Sequence, residues 1–382
     1  MRGYYDLKKR LLIICDPPAP PGYFPRLRYL CEHLAQKDYD VTLLTEDYMP
    51  LNFAHSYPIV SIRMYRGGFL DWFLKSLWTL LTDWYNRSLA ARFLESESCG
   101  RYDVVICTTF NDVPLGAAQR IAKALNVPLI CDIRDLEEQV DNSRYQYSHK
   151  QWWLMPFRRL YRAIHSCRRN AVLRKANAIT TVSPWHADFI KAIVGANVPI
   201  TTMYNGYNDT IFYPESTRTP HFVVSYIGSL SDWQKPGLKK VECAINELNR
   251  EHPNNPILLD IHTPKQHPIA HEKMGDALRQ SSVVLVLTAQ HTHGMLTTKF
   301  YEALGCEKPV LCVPSDHGSL AELIEYTNAG IAADDIEDIK AFILAQYAEW
   351  QKNGYTHQPT QHREEFSREF QSAKMEQIIQ SL

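Results

Sequence analysis

Short apolar runs of strand length recur along this chain, each followed by a segment with helical spacing. That alternation is the strongest constraint on what it can fold into. RLLIIC (10–15), VTLLT (41–45), YPIVSIRMY (57–65), DVVICTT (103–109), PLICDI (128–133), AITTVS (178–183) and ITTMYN (200–205) read as strands. Between them the spacing predicts helices, including a long aromatic one over 69–98, another over 112–126 and a basic one over 151–176. The rhythm stops in YNGYNDTIFYPESTRTPH (204–221), which is rich in turn formers and reads as a linker. It resumes with FVVSYIG (222–228), PILLDIH (256–262), VVLVLT (283–288) and PVLCVP (309–314). Strands joined by single helices pair in parallel through right-handed crossovers, which gives doubly wound sheets covered by helices on both faces.

With 382 residues the chain is long for a single core. The expectation is an α/β protein of two such domains facing a cleft, over 1–214 and 215–355, followed by a C-terminal helical segment at 356–382. In that last segment Phe366, Phe370, Met375 and Ile378 or Ile379 fall on one stripe and predict a docked helix.

The net charge of −1 conceals an asymmetry: 26 Lys and Arg against 20 Asp and Glu up to residue 214, and 15 against 22 beyond it. Nine basic side chains and no acidic one lie between residues 142 and 176, interleaved with Trp152, Trp153, Phe157 and Tyr161. Three readings of this stretch stand side by side. They are contact with an anionic membrane through Trp152, Trp153, Arg158, Arg159 and Arg162, which the aromatic, amphipathic FLDWFLKSLWTLLTDWY (69–85) would share, packing on the sheet with a solvated basic face, or nucleic-acid binding. The first is preferred, because nothing resembles a nucleic-acid-binding module and no nucleic-acid partner is expected. The nine cysteines form no CxxC pair or zinc spacing and read as reduced core residues. The opening MRGYYDLKKRLLIIC is too short in apolar residues for a signal peptide, and no uncharged run reaches the length of a spanning helix. The expected location is cytoplasmic, with attachment to the inner face of the cell membrane.

The residues that carry chemistry centre on TTKFYEALGCEKPVL (297–311), a loop that feeds a short helix capped by Thr297 or Thr298 and ended by Pro309. Backbone N–H groups at such a helix start bind anions. Together with DIRD (132–135), ANAITTVSPWHADF (176–189), YNGYNDTIFYP (204–214) and SYIGSL (225–230), in that order, this stretch resembles the retaining glycosyltransferases of family 4, the group 1 type with the GT-B fold. The resemblance covers nearly the whole chain, and a weaker likeness points to the branch that builds bacterial surface polysaccharides.

The resemblance implies transfer of a sugar from a nucleotide-sugar donor to a lipid-linked, oligosaccharide or polysaccharide acceptor with retention. The departing phosphate would itself take the acceptor proton, with no enzyme nucleophile, no cofactor and no metal. It implies a donor site made of Gly22, Gly228, Ser229, Lys235, His293, Gly294, Met295, Leu296, Thr297, Thr298, Lys299 and Glu302. Glu302 would accept hydrogen bonds from the ribose hydroxyls, Lys235 would meet the diphosphate, and Arg134 and Asp135 would stand with Lys235 as catalytic candidates. For Lys235 the alternative is an exposed surface lysine, for Gly22 a plain turn, and for Arg134 and Asp135 a structural couple. Where the family usually carries a second glutamate, eight residues before Glu302, this chain has Gly294. That departure keeps open a non-catalytic relative that binds a nucleotide sugar or scaffolds a partner. A sugar-nucleotide epimerase would need a carboxylate and histidine set that the sequence does not display.

Overall fold

The computed structural model describes residues 8–16, 25–46, 54–65, 67–109, 112–139, 155–251, 253–288 and 292–382, with the side chains of 155–158 left aside. Gly22, His291, Trp152, Trp153 and the Arg158 side chain lie outside the described residues. The chain forms two compact units: residues 1–138, 146–203 and 372–382 make up the first, and 139–145 with 204–371 the second.

In the first unit the elements run β1 (Lys9–Cys15), α1 (Pro25–Gln36), β2 (Tyr39–Glu46), β3 (Ile59–Ile62), α2 (Phe69–Thr82) and α3 (Trp84–Leu94). They continue with β4 (Val104–Thr109), α4 (Leu115–Leu125), β5 (Leu129–Ile133), α5 (Met155–Leu173), β6 (Ala178–Thr181), α6 (Pro184–Val194) and β7 (Ile200–Thr202). The seven strands are all parallel in the order β3-β2-β1-β4-β5-β6-β7, with Ile13 of β1 between Leu43 and Ile106. A parallel sheet is covered on both faces, which explains why β1, β4 and β5 are apolar without alternation. Leu12, Ile14, Val105 and Cys131 face one helix layer, and Leu11, Ile13, Val104 and Ile130 face the other.

The expected single helix over 69–98 is two helices, broken at Asp83, whose left-handed backbone (φ 59°) ends α2. Aspartate tolerates that conformation, and its carboxylate is anchored by Arg120 at 2.7 Å and by Asn86.

The second unit comprises β8 (Val223–Ile227), α7 (Lys235–Glu251), β9 (Leu258–His262), α8 (Met274–Arg279), β10 (Val283–Leu287), α9 (Thr298–Gly305), β11 (Val310–Val313), α10 (Ser319–Tyr326), β12 (Gly330–Ala332) and α11 (Ile336–Asn353). Its five strands are parallel in the order β12-β11-β10-β8-β9. In both sheets the order reverses beside the first strand, and that reversal is where this fold class binds ligands at the carboxyl ends of its strands.

The last helix, α12 (Arg368–Ser381), begins in the second unit and ends in the first. Its predicted apolar stripe divides. Phe366 sits in a preceding 3-10 turn, buried in the second unit's core, and Phe370 is exposed. Met375 and Ile379 are buried in the first unit, where Lys9 Nζ donates to the Ile379 carbonyl at 2.9 Å and His33 pairs with Glu376.

Candidate active site

The helix α9 follows β10 through a loop ending at Thr297, whose hydroxyl caps the Lys299 N–H at 3.4 Å. Thr297 is the N-cap and Thr298 the first helical residue. Phe300, Tyr301, Ala303 and Leu304 bury the helix against the sheet, which fixes its start beside the ends of β8 and β10. Among the described residues, the backbone N–H groups from Gly294 through Thr298 have no acceptor. Helix starts leave such donors unsatisfied by construction, and they are aligned with the positive end of the helix dipole. Gly294 reaches this geometry with φ 61°. The His293 N–H differs, since it donates to the Gln139 carbonyl at 2.7 Å.

Two charges flank these donors. Glu302, one turn into α9, is buried, and no hydrogen bond from a described residue reaches its carboxylate. Burial pushes its pKa up to about 7 against the opposing pull of Arg368 and Lys299. A carboxylate in this state is short of hydrogen-bond donors, and a pair of ligand hydroxyls would supply them. Lys299 extends back along β8, its Nζ 5.4 Å from the centre of the Tyr226 ring. Burial lowers its pKa, with Glu302 acting in the other direction.

Lys299 occupies the space beside Gly228, the residue that ends β8 with φ 143°. The Gly228 N–H is taken by the His262 carbonyl at 2.8 Å, and exposed Ser229 accepts from the Tyr226 hydroxyl through its backbone oxygen at 2.6 Å. Thus Gly228 admits the lysine stem rather than presenting a free amide. Lys235 lies at the first position of α7, largely exposed and paired with Asp232 at 2.7 Å. The residues expected on the donor side, Gly228, Ser229, Gly294, Met295, Leu296, Thr297, Thr298, Lys299 and Glu302, are therefore brought to one end of one sheet, with Lys235 at the start of α7.

The first unit gathers buried charge at the carboxyl ends of its own strands. Asp132 of β5 receives both terminal nitrogens of Arg26 at 3.0 Å and the hydroxyls of Thr108 and Thr180 at 2.8 and 2.7 Å. Arg134 pairs with Asp16 at 3.0 Å, and Asp16 also accepts from Thr109 at 2.6 Å. The Asp16 partner of Arg134 comes from just beyond β1, a contact the sequence does not reveal. His165 of α5 pairs with Asp112, both buried. Sequence reasoning missed Asp16, Arg26, Asp112 and His165, which are far apart in the chain and form no local motif. Of the basic helix, Arg159 is exposed, Arg162 reaches Glu137 at 3.6 Å and Arg169 is buried against Glu138 at 2.9 Å. Among the described residues no group of three His, Cys, Asp or Glu is placed to hold a metal ion.

Two parallel, doubly wound units of seven and five strands define the GT-B architecture of glycosyltransferases. Residues 26–210, just under half of the chain, match the model of Glycosyltransferase Family 4. Among solved structures, sucrose-phosphate synthase from Thermosynechococcus elongatus is similar at 16% identity and a TM-score of 0.61 over 98% of each chain. HepE of Anabaena, in complex with UDP and glucose, is similar at 14% identity and a TM-score of 0.61, over 97% of this chain and 99% of that one. The lipopolysaccharide outer core galactosyltransferase WaaB in its apo form is similar at 12% identity and a TM-score of 0.58, over 97% and 99%. At these identities the likeness establishes the fold. No curated protein matches the chain.

Proposed function

We propose that the protein is a retaining glycosyltransferase. It moves a sugar, most simply a hexose, from a nucleotide-sugar donor to a lipid-linked or polysaccharide acceptor in bacterial envelope synthesis. One observation carries this reading: Glu302, a buried carboxylate that no described residue reaches with a hydrogen bond, lies one turn from a run of N–H groups without an acceptor among the described residues, and from Lys299. A ribose diol answers the first need and a diphosphate the second. Breaking the glycosidic bond places charge on the leaving phosphate, and preorganised donors at a helix start stabilise that charge more than the ground state.

In this reading Lys299 and Lys235 supply the positive charge that meets the diphosphate, and no metal ion is required. Arg134, held by Asp16, and Asp135 are assigned to the transferred sugar. Likeness to HepE, whose structure holds UDP and glucose, supports a UDP-sugar as the first donor to try. Likeness to WaaB supports a surface-polysaccharide acceptor.

The test is the thermal shift of the chain against UDP-, GDP-, ADP- and dTDP-sugars, with and without a chelator, repeated with Glu302→Ala. Stabilisation by one donor that survives the chelator and disappears in the variant supports the reading. No shift with any donor would leave a non-catalytic role as the better account.

A further inference from the structure

Helix α2 is inside out. Its polar stripe, Asp71, Lys75 and Thr79 at successive i,i+4 positions, is turned toward the protein. Lys75 Nζ donates to the Met64 carbonyl and to Asp71, both at 3.0 Å, and lies over the rings of Tyr65 and Trp84. Thr79 is buried. The apolar face looks outward: Phe69, Leu70, Trp72, Phe73, Leu74, Leu77, Trp78 and Leu81 are between 44% and 77% exposed. A helix on a soluble domain buries its apolar stripe, and so large a contiguous exposed patch marks a contact surface.

The surroundings select the partner. At the carboxyl end of α2, Arg168 of α5 donates to the Thr79 and Leu80 carbonyls at 2.8 Å, so the two helices are tied together. From residue 155 through 175, α5 and the turn after it contain six arginines, a lysine and no acidic residue. The acidic residues of α2 and its junction are already neutralised, Asp71 by Lys75 and Asp83 by Arg120. Arg159 is exposed, as are Arg63 before α2 and Arg87 and Arg92 on α3. An apolar face with an arginine rim is complementary to an anionic bilayer surface, where aromatic rings sit at headgroup level and cations meet lipid phosphates. At 14 residues α2 is about 21 Å long at ~1.5 Å per residue, too short to cross a hydrocarbon core of ~30 Å. No described helix is long and apolar enough to span a membrane.

We propose that α2 lies in the plane of an anionic membrane, its apolar face in the acyl boundary and the arginines of α3 and α5 on the headgroups. This rests on the glycosyltransferase reading only in that a lipid-linked acceptor would be presented there. Of the two stretches the sequence offers for membrane contact, 69–85 and the basic aromatic one, it makes the first, as α2, the inserted element, with α5 as its charged flank.

The test is cosedimentation of the full chain with phosphatidylcholine vesicles, with and without phosphatidylglycerol. Wild-type protein is expected to sediment with the anionic vesicles. Leu77→Glu with Leu81→Glu should lower the partition by more than about tenfold, since two leucines set in the acyl boundary become charges, with an unchanged melting temperature because both sites are exposed in the protein. Arg159→Glu should lower it about fivefold or more, on anionic vesicles only. The inference is overturned if wild-type protein stays in the supernatant with both vesicles, or if the leucine variant sediments equally. It is also overturned if light scattering shows a dimer that the leucine variant dissolves, which would give the face to a second copy. The donor-induced thermal shift, read in the same samples without vesicles, reports on the second unit. A persistent shift with failed sedimentation removes this inference and leaves the glycosyltransferase reading standing.

Discussion

A side chain at position 228 would collide with Lys299: the Cβ of any residue there would lie 2.7 Å from Nζ and closer still to Cε. Gly228 also holds φ 143°, which disfavours an L side chain whatever the space. The glycine is therefore what allows the lysine to run along the end of β8 toward the start of α9.

Gly228→Ala is expected to displace Lys299 and weaken binding of the nucleotide-sugar donor at least tenfold. The strain should cost about 1–3 kcal/mol of stability. Melting curves with and without UDP-glucose separate the two effects, and an unchanged donor shift would show that the position of Lys299 does not matter for binding.

Glu302 gives stability a pH dependence of known sign. Its folded pKa, about 7, is raised above the ordinary 4.5, so the folded state holds more protons than the unfolded one between those values. Its contribution is full below pH 4.5 and is lost as pH rises through 7. Glu302→Gln should remove that decline, and urea unfolding at several pH values reads it.

Under the proposed function, ribose hydroxyls donating to Glu302 would favour its charged form and pull its pKa down on binding. Donor binding near pH 7 is then expected to release part of a proton. Calorimetry in two buffers of different ionisation enthalpy measures it, and Glu302→Gln should release none. Equal release from both proteins would locate the proton elsewhere.

Asp132 depends on Arg26. Burial raises the Asp132 carboxyl pKa, but the charge and hydrogen bonds of Arg26, with those of Thr180 and Thr108, outweigh it and leave a net lowering. Stability from this group is therefore lost as pH falls through the lowered value. Arg26→Leu strands a buried carboxylate and should cost about 3–5 kcal/mol. Adding Asp132→Asn should recover part of it, as chemical denaturation of both variants would show.

Lys308 is buried, its Nζ donating to the Thr356 carbonyl at 3.3 Å, and burial pushes its pKa down to about 8. The unfolded chain thus binds more protons between pH 8 and the ordinary 10.5, and stability should rise over that window. Lys308→Met is expected to be neutral or stabilising at pH 7 and to flatten the alkaline rise. Denaturation midpoints at pH 7 and 9 test both parts.

Much of this was legible in the chain itself. Runs such as RLLIIC and VVLVLT, apolar without alternation and separated by helical spacing, predict a buried parallel sheet because only two covered faces tolerate them. TTKFYEALG places a cap, a lysine and a glutamate on one short helix by local rules alone. What lay beyond those rules is decided by contacts between distant residues. Asp16 meets Arg134 across 118 positions and Asp112 meets His165 across 53, because β1, β4 and β5 are neighbours in the sheet and α5 packs beside α4. Asp83 splits a continuous helical pattern because Arg120 and Asn86 hold its left-handed backbone. Periodicity shows that α2 has two faces, but it carries no information about which of them is turned inward. Met64 and Arg168 settle that by claiming its polar side. Sequence alone thus determined the layers and the local capping of the site. The burial that raises the pKa of Glu302, the partners of the charged residues and the outward turn of α2 came only with tertiary structure, since each depends on which distant groups exclude water from a given atom.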